Sequence, residues 1–163
     1  MKKFLSVLMV VALLVIFGLF AIGSSESGTE EQGKGTASQT ESESNLGDYK
    51  VEIMGCRLSK DFEGKQVVIV KYKFTNNSED STAFYTAFDD TVYQDGVGLN
   101  ESYVLDDSAQ YDSGNQTKEI KSGASIEVEA AYELNDTETD IDVEVEELFS
   151  FDDKKITKTF SIK

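Results

Sequence analysis

Thirty-one aspartates and glutamates, a single cysteine and no histidine set the chemistry open to this 163-residue chain. Without an imidazole there is no Ser-His-Asp or Cys-His centre, and the usual zinc sites are closed as well. No S-x-x-K occurs, which removes the serine–lysine arrangement. Carboxylate chemistry remains. One form is an acid of raised pKa beside an ionised partner, as in glycosidases. The other is oxygen ligation of a hard cation. For the second, "LDDSAQYDSGN" gathers Asp106, Asp107, Asp112 and Asn115 on one long polar connection, a candidate calcium site. The stretch from Asp90 to Glu101 fails the EF-hand spacing, with Val92 at its third position. The competing reading of all these side chains, that they cap turns and stay hydrated, is the preferred one. Cys56 and Met54 are too few soft ligands for copper, and Cys56 reads instead as a small apolar thiol in the core. "GTEEQGKG" (28–35) resembles a phosphate-binding loop but has Gly35 where a Ser or Thr must hold magnesium, and no strand leads into it. No catalytic residue and no cofactor is assigned, and the chain is read as a non-enzyme.

Against those acids stand 15 lysines and arginines, for a net charge of −16. Such a field repels nucleic acid and anionic lipid headgroups; a basic protein, a cationic ligand or a divalent cation is compatible with it. The charge is concentrated between Glu127 and Glu147, where ten acidic residues occur without a basic one. Alternation places Glu127 and Glu129 on the outer face of one strand and Asp142, Glu144 and Glu146 on that of another. Were those strands neighbours, facing like charges would cost up to ~1 kcal/mol per pair. Either the topology separates them or Lys71 and Lys73 lie between, and one surface is expected to be strongly negative.

The elements that position these groups are strands. From Asp48 onward the apolar residues recur with period two. "YKVEI" alternates Tyr49, Val51 and Ile53, and Gly55 permits a bulge that returns Cys56 and Leu58 to the same side. "VVIVKYKF" points Val68, Val70, Tyr72 and Phe74 inward, with Val67 and Ile69 apolar on the other face, as in a central strand covered on both sides. "TAFYTAF" reads as the next strand and "TKEI" as a short edge strand, while Asp95-Gly96 marks a tight hairpin between "TVY" and "VGL". "SIEVEAAYEL", "IDVEVEELF" and "KITKTFSIK" complete about seven or eight short strands, which fit an antiparallel immunoglobulin-like β-sandwich, with a small closed barrel as the alternative. The chain has no tryptophan and no proline, so Gly, Asn and Asp must make every turn.

Residues 1–23 form an export signal or signal anchor: Lys2 and Lys3 precede an apolar run from Phe4 to Ile22 that is long enough to approach a ~30 Å hydrocarbon core as a helix. Ala21 and Gly23 permit cleavage before Ser24, whose hydroxyl cannot take the lipid that a cysteine would. Retention as an uncleaved helix with the domain outside is slightly preferred. Residues 24–47, rich in Ser, Glu, Gly and Thr, read as a disordered linker, and residues 48–163 as one domain, monomeric and folding without the linker.

"DFEGKQVVIVKYKFTNNSEDSTAF", "YQDGVGL", "YDSGNQTKEIKSGAS" and "VEVEELF" together resemble a family of exported, mostly Gram-positive proteins with a domain of unknown function. That family is related in fold to the mycobacterial immunoprotective extracellular antigen, an immunoglobulin-like sandwich. The resemblance runs from Tyr49 to Phe151 and rests on strand and turn motifs, so it implies a fold and carries over no catalytic residue. Relatives of this kind commonly have a lipid-bearing cysteine where this chain has Ser24. The resulting expectation is a non-catalytic, acidic, cell-surface module, on the outer face of the membrane or secreted, that binds a protein or envelope component. A calcium- or other cation-linked binding domain is the first alternative and a small carboxylate-dependent hydrolase the second.

Overall fold

The computed structural model describes residues 43–103 and 110–163. The apolar run, Ser24, most of the linker, and Asp106 and Asp107 lie outside those residues. In chain order the elements are β1 (Glu43–Leu46), β2 (Tyr49–Lys60), β3 (Gln66–Asn76), one helical turn α1 (Phe84–Ala87), β4 (Phe88–Gln94), β5 (Val97–Gly98), a 3₁₀ turn (Ser113–Gln116), β6 (Ser125–Glu133), β7 (Ile141–Glu147) and β8 (Lys155–Phe160). They make two four-stranded sheets, β1-β2-β3-β6 and β5-β4-β7-β8, antiparallel at every pairing. Among the described residues no helix is long and apolar enough to cross a membrane.

The core follows from the alternation. Val51, Ile53, Val68, Val70, Tyr72, Phe74, Val128, Ala130 and Tyr132 of the first sheet cluster with Phe88, Val92, Ile141, Val143, Val145 and Ile156 of the second. The outward apolar residues of β3 are buried too: Ile69 lies with Ala131 beneath Tyr111, so β3 is a central strand covered on both sides. Asp95 and Gly96 both take positive φ, 52° and 73°, the conformation that a tight two-residue hairpin demands.

The bulge falls where Gly55 allows it. The register shifts between Ile53 and Gly55, so Cys56 pairs with Val70 and Leu58 with Val68, both on the inward side. Burial there is incomplete, which corrects the reading of Cys56 as a core thiol: the thiol is half-buried, and Leu58 is 45 % exposed. The carbonyls of Ile53 and Met54 accept hydrogen bonds from Lys158 Nζ at 2.8 and 3.2 Å. Lys158 is opposite the inward Val143, so the edge strand β8 turns a charge toward the sandwich, a feature that discourages pairing with another chain.

Three further expectations need correction. "TAFYTAF" is not a strand: Phe84, Ala87 and Phe88 are all buried at helical spacing, and α1 turns the chain from one sheet toward the other. "TKEI" contributes one bridge, Ile120 to Thr82, and no strand. The last residues of the segment read as linker form β1, in which Leu46 is 2 % exposed and joins the core. Leu46 is a lone apolar residue in a polar stretch, too weak a pattern for a strand until β2 supplies the partner.

Buried side chains do at the turns what proline does elsewhere. Asn76, fully buried, donates to the carbonyls of Asp80 and Ile120 and accepts from the backbone and hydroxyl of Ser78. Gln94 donates to Asp136 O and Thr139 O and accepts from the amides of Asn135 and Asp136, closing the connection from β6 to β7.

Candidate functional site

The acidic strands are kept apart by topology, and the first sheet is neutralised as well. β6 pairs with β3, placing Glu127 opposite Lys73 and Glu129 opposite Lys71. Lys71 bridges to Glu127 at 2.7 Å, and Arg57 holds Glu129 with two nitrogens at 2.5 and 2.9 Å. The Arg57 hydrogen bond lowers the pKa of Glu129, so that face carries acids and bases in alternation.

The outer face of the second sheet is different. Asp89 lies directly opposite Glu146, Thr91 opposite Glu144, and Tyr93 opposite Asp142. Along the other edge Glu146 meets Lys155, and Thr159 donates to Asp142 at 2.6 Å. Lys155 reaches Glu144 at 2.6 Å, leaving Asp89 and Glu146 facing each other. Asp89, Thr91, Tyr93, Glu144, Glu146 and Lys155 line a hollow of about 190 Å³. This is the strongly negative surface expected from the block between Glu127 and Glu147. Asp89 was missed by the sequence reading; its place beside β7 depends on a pairing that no local pattern announces.

Beneath that face, β4 turns a second carboxylate inward. Asp90 sits opposite the fully buried Val145, and its carboxyl meets two tyrosines of the first sheet. Tyr132 Oη donates to Asp90 Oδ2 at 2.5 Å and also lies 3.2 Å from Asp90 O. Tyr72, 0 % exposed and stacked on Phe84, brings a second buried hydroxyl toward the same carboxyl. Burial raises the Asp90 pKa against the Tyr132 and Tyr72 hydroxyls, which lower it. Glu101, bridged through its backbone to Tyr132, is raised by burial and then by Asp90 and Asp89. Consecutive aspartates in an alternating strand point to opposite faces, a signal the sequence carried for Asp90.

Two of the four calcium candidates, Asp112 and Asn115, are described, and both serve the backbone. Asp112 accepts from Gly114 N at the start of the 3₁₀ turn. Asn115 donates to Glu127 O and accepts from Lys118 Nζ. Beside it Gln116 donates to Glu129 O, so these amides occupy carbonyls along the outer edge of β6. Among the described residues no three acidic or cysteine side chains are grouped to hold a metal ion. Cys56, with Met54, Gly55, Arg57, Ile69 and Lys71, lines a hollow of about 290 Å³ beside the bulge. Burial pushes the Cys56 thiol up in pKa, opposed by Lys158, so it is a poor nucleophile.

Comparison with known structures finds a similar fold in a candidate lipoprotein of Staphylococcus aureus, at 21 % identity and a TM-score of 0.53, covering 71 % of this chain and 84 % of that one. No curated protein matches the chain. A family model does match, over residues 24–147, more than half of the sequence: the chain belongs to the family described as "Domain of unknown function (DUF5067)".

Proposed function

We propose that this protein is a non-catalytic, exported module of immunoglobulin type that binds a basic protein or envelope component through the outer face of its second sheet. The observation that carries the reading is the uneven charge: bases offset the acids on one face, whereas among the described residues Asp89, Asp142, Glu144 and Glu146 share the other with Lys155 alone. Facing like charges such as Asp89 and Glu146 destabilise the free domain, and a cationic partner would relieve them. The immunoglobulin assignment, and with it the kinship to the mycobacterial antigen fold, is supported by the strand order. In β2-β3-β6 and β5-β4-β7-β8 the second strand pairs with the fifth of the set and the third with the sixth, as in A-B-E and C′-C-F-G sheets. Export is supported by the leader and placement at the cell surface by the polar segment that follows it; the Staphylococcus protein of similar fold is itself described as a candidate lipoprotein.

A fluorescent oligolysine peptide tests the reading. Replacing Asp89, Glu144 and Glu146 by their amides is expected to weaken binding at least tenfold. The same loss of charge at Glu52, Glu127 and Glu133 on the first sheet is expected to change it by less than threefold. Equal losses from the two sets would mean that net charge alone attracts the peptide, and the proposed face would be wrong.

A further inference from the structure

We infer that Phe149 and Phe151, in the turn from β7 to β8, are the apolar anchors with which the acidic face of the second sheet holds its partner, and that the partner is therefore an amphipathic cationic segment. The inference rests on that face being the binding face. Among the described residues these two are the most exposed large apolar side chains: Phe149 is 92 % exposed and Phe151 entirely so. Phe149 also takes a positive φ of 63°, a conformation costly for a bulky side chain. The turn is pinned around it, since Leu148 N donates to Ala87 O, Ser150 N to Glu147 O and Asp152 N to Ser150 Oγ. The backbone thus presents both rings outward at a local cost that burial within the domain does not offset.

The turn springs from the acidic face. Asp89, Glu146 and Lys155 form one row across β4, β7 and β8, and Glu146 and Lys155 are the last paired residues of their strands before the turn. Phe149 lies three residues beyond Glu146 and Phe151 four before Lys155, so each ring is carried at most about 10–14 Å along the chain from that row. Lys154 bridges to Asp152 at 3.6 Å and Lys155 to Glu144 at 2.6 Å; among the described residues Asp89, Glu146 and Asp153 are left over. That excess selects the occupant. A second copy of this chain, itself at −16, and an anionic lipid surface are both repelled. A segment that carries lysine or arginine about 10 Å from an apolar side chain meets the acids and the rings together. Aromatic anchors within a polar rim are how binding energy is commonly divided at an interface.

The test titrates the full chain into two fluorescent peptides of equal charge, oligolysine and an amphipathic peptide of lysine and leucine. The wild type is expected to bind the second about tenfold more tightly. Phe149→Asn combined with Phe151→Ser is expected to erase that advantage and to change oligolysine binding by less than about twofold. Asparagine accepts the positive φ, and both positions are exposed, so the thermal melt should not move. An advantage that survives the double substitution, or is absent from the wild type, overturns the anchors; the acidic face then still stands if the amide variants of Asp89, Glu144 and Glu146 lose oligolysine. Amide variants that keep full affinity for oligolysine overturn the acidic face, and this inference with it. Co-sedimentation with phosphatidylcholine vesicles that the double substitution abolishes, while the peptide advantage persists, would assign the turn to a membrane surface and overturn the inference as well.

Discussion

Replacing Gln94 by methionine should cost this domain about a third of a typical folding stability without making a hole in it. The side chain is 1 % exposed at the end of β4, and methionine matches its length and flexibility, so the loss is confined to hydrogen bonds. Gln94 Nε2 donates to Asp136 O at 3.1 Å and Thr139 O at 2.9 Å, and Oε1 accepts from the amides of Asn135 at 2.8 Å and Asp136 at 3.3 Å. Asn135 and Asp136 are exposed, so water can reach part of the abandoned backbone. The appropriate figure is then the net worth of each bond, ~0.5–1.5 kcal/mol, and not the full penalty of a buried orphan. With one of the four long, the total is about 3 kcal/mol. For a domain of this size that lowers the melting temperature by about 12 °C. Circular dichroism melts measure the shift, and hydrogen exchange at the Asn135 amide reports whether the turn has opened. A fall of less than about 4 °C, or an Asn135 amide as protected as before, would refute the view that one glutamine holds this connection.

Two other outcomes follow from burial. Truncation to begin at Asp48 removes β1 and the core contact of Leu46, worth ~1.5–3 kcal/mol in apolar burial alone, so the domain should still fold cooperatively but at a lower urea midpoint; an unchanged midpoint would show β1 to be dispensable. The Cys56 thiol, half-buried and raised in pKa by burial, should react with a maleimide more slowly than in denaturant yet to completion in the native state, and faster as pH rises toward its titration; equal native and denatured rates would place it fully in solvent.

Much of the fold was legible because a strand writes its burial locally. In "VVIVKYKF" the side that faces the core is fixed by alternation, and the run of four apolar residues announces cover on both faces. Asp95-Gly96 and Gly55 were readable for a similar reason: a backbone that must turn or bulge selects its residues. The helical turn at Phe84–Ala87 was not, since Phe84 and Phe88 share a face in a strand and in a helix alike. Which acids meet which bases was beyond reach for another reason. Glu129 and Glu146 look equivalent along the chain, yet β6 has β3 and its lysines for a neighbour, while β7 lies between β4, with Asp89 opposite Glu146, and β8. Composition and alternation thus determined that this is an acidic domain of paired strands carrying charge outward. Tertiary structure decided where that charge is offset and where it is left bare, and it brought Asp90 of one sheet to Tyr72 and Tyr132 of the other, because contacts across a sandwich join residues whose separation in sequence no local pattern encodes.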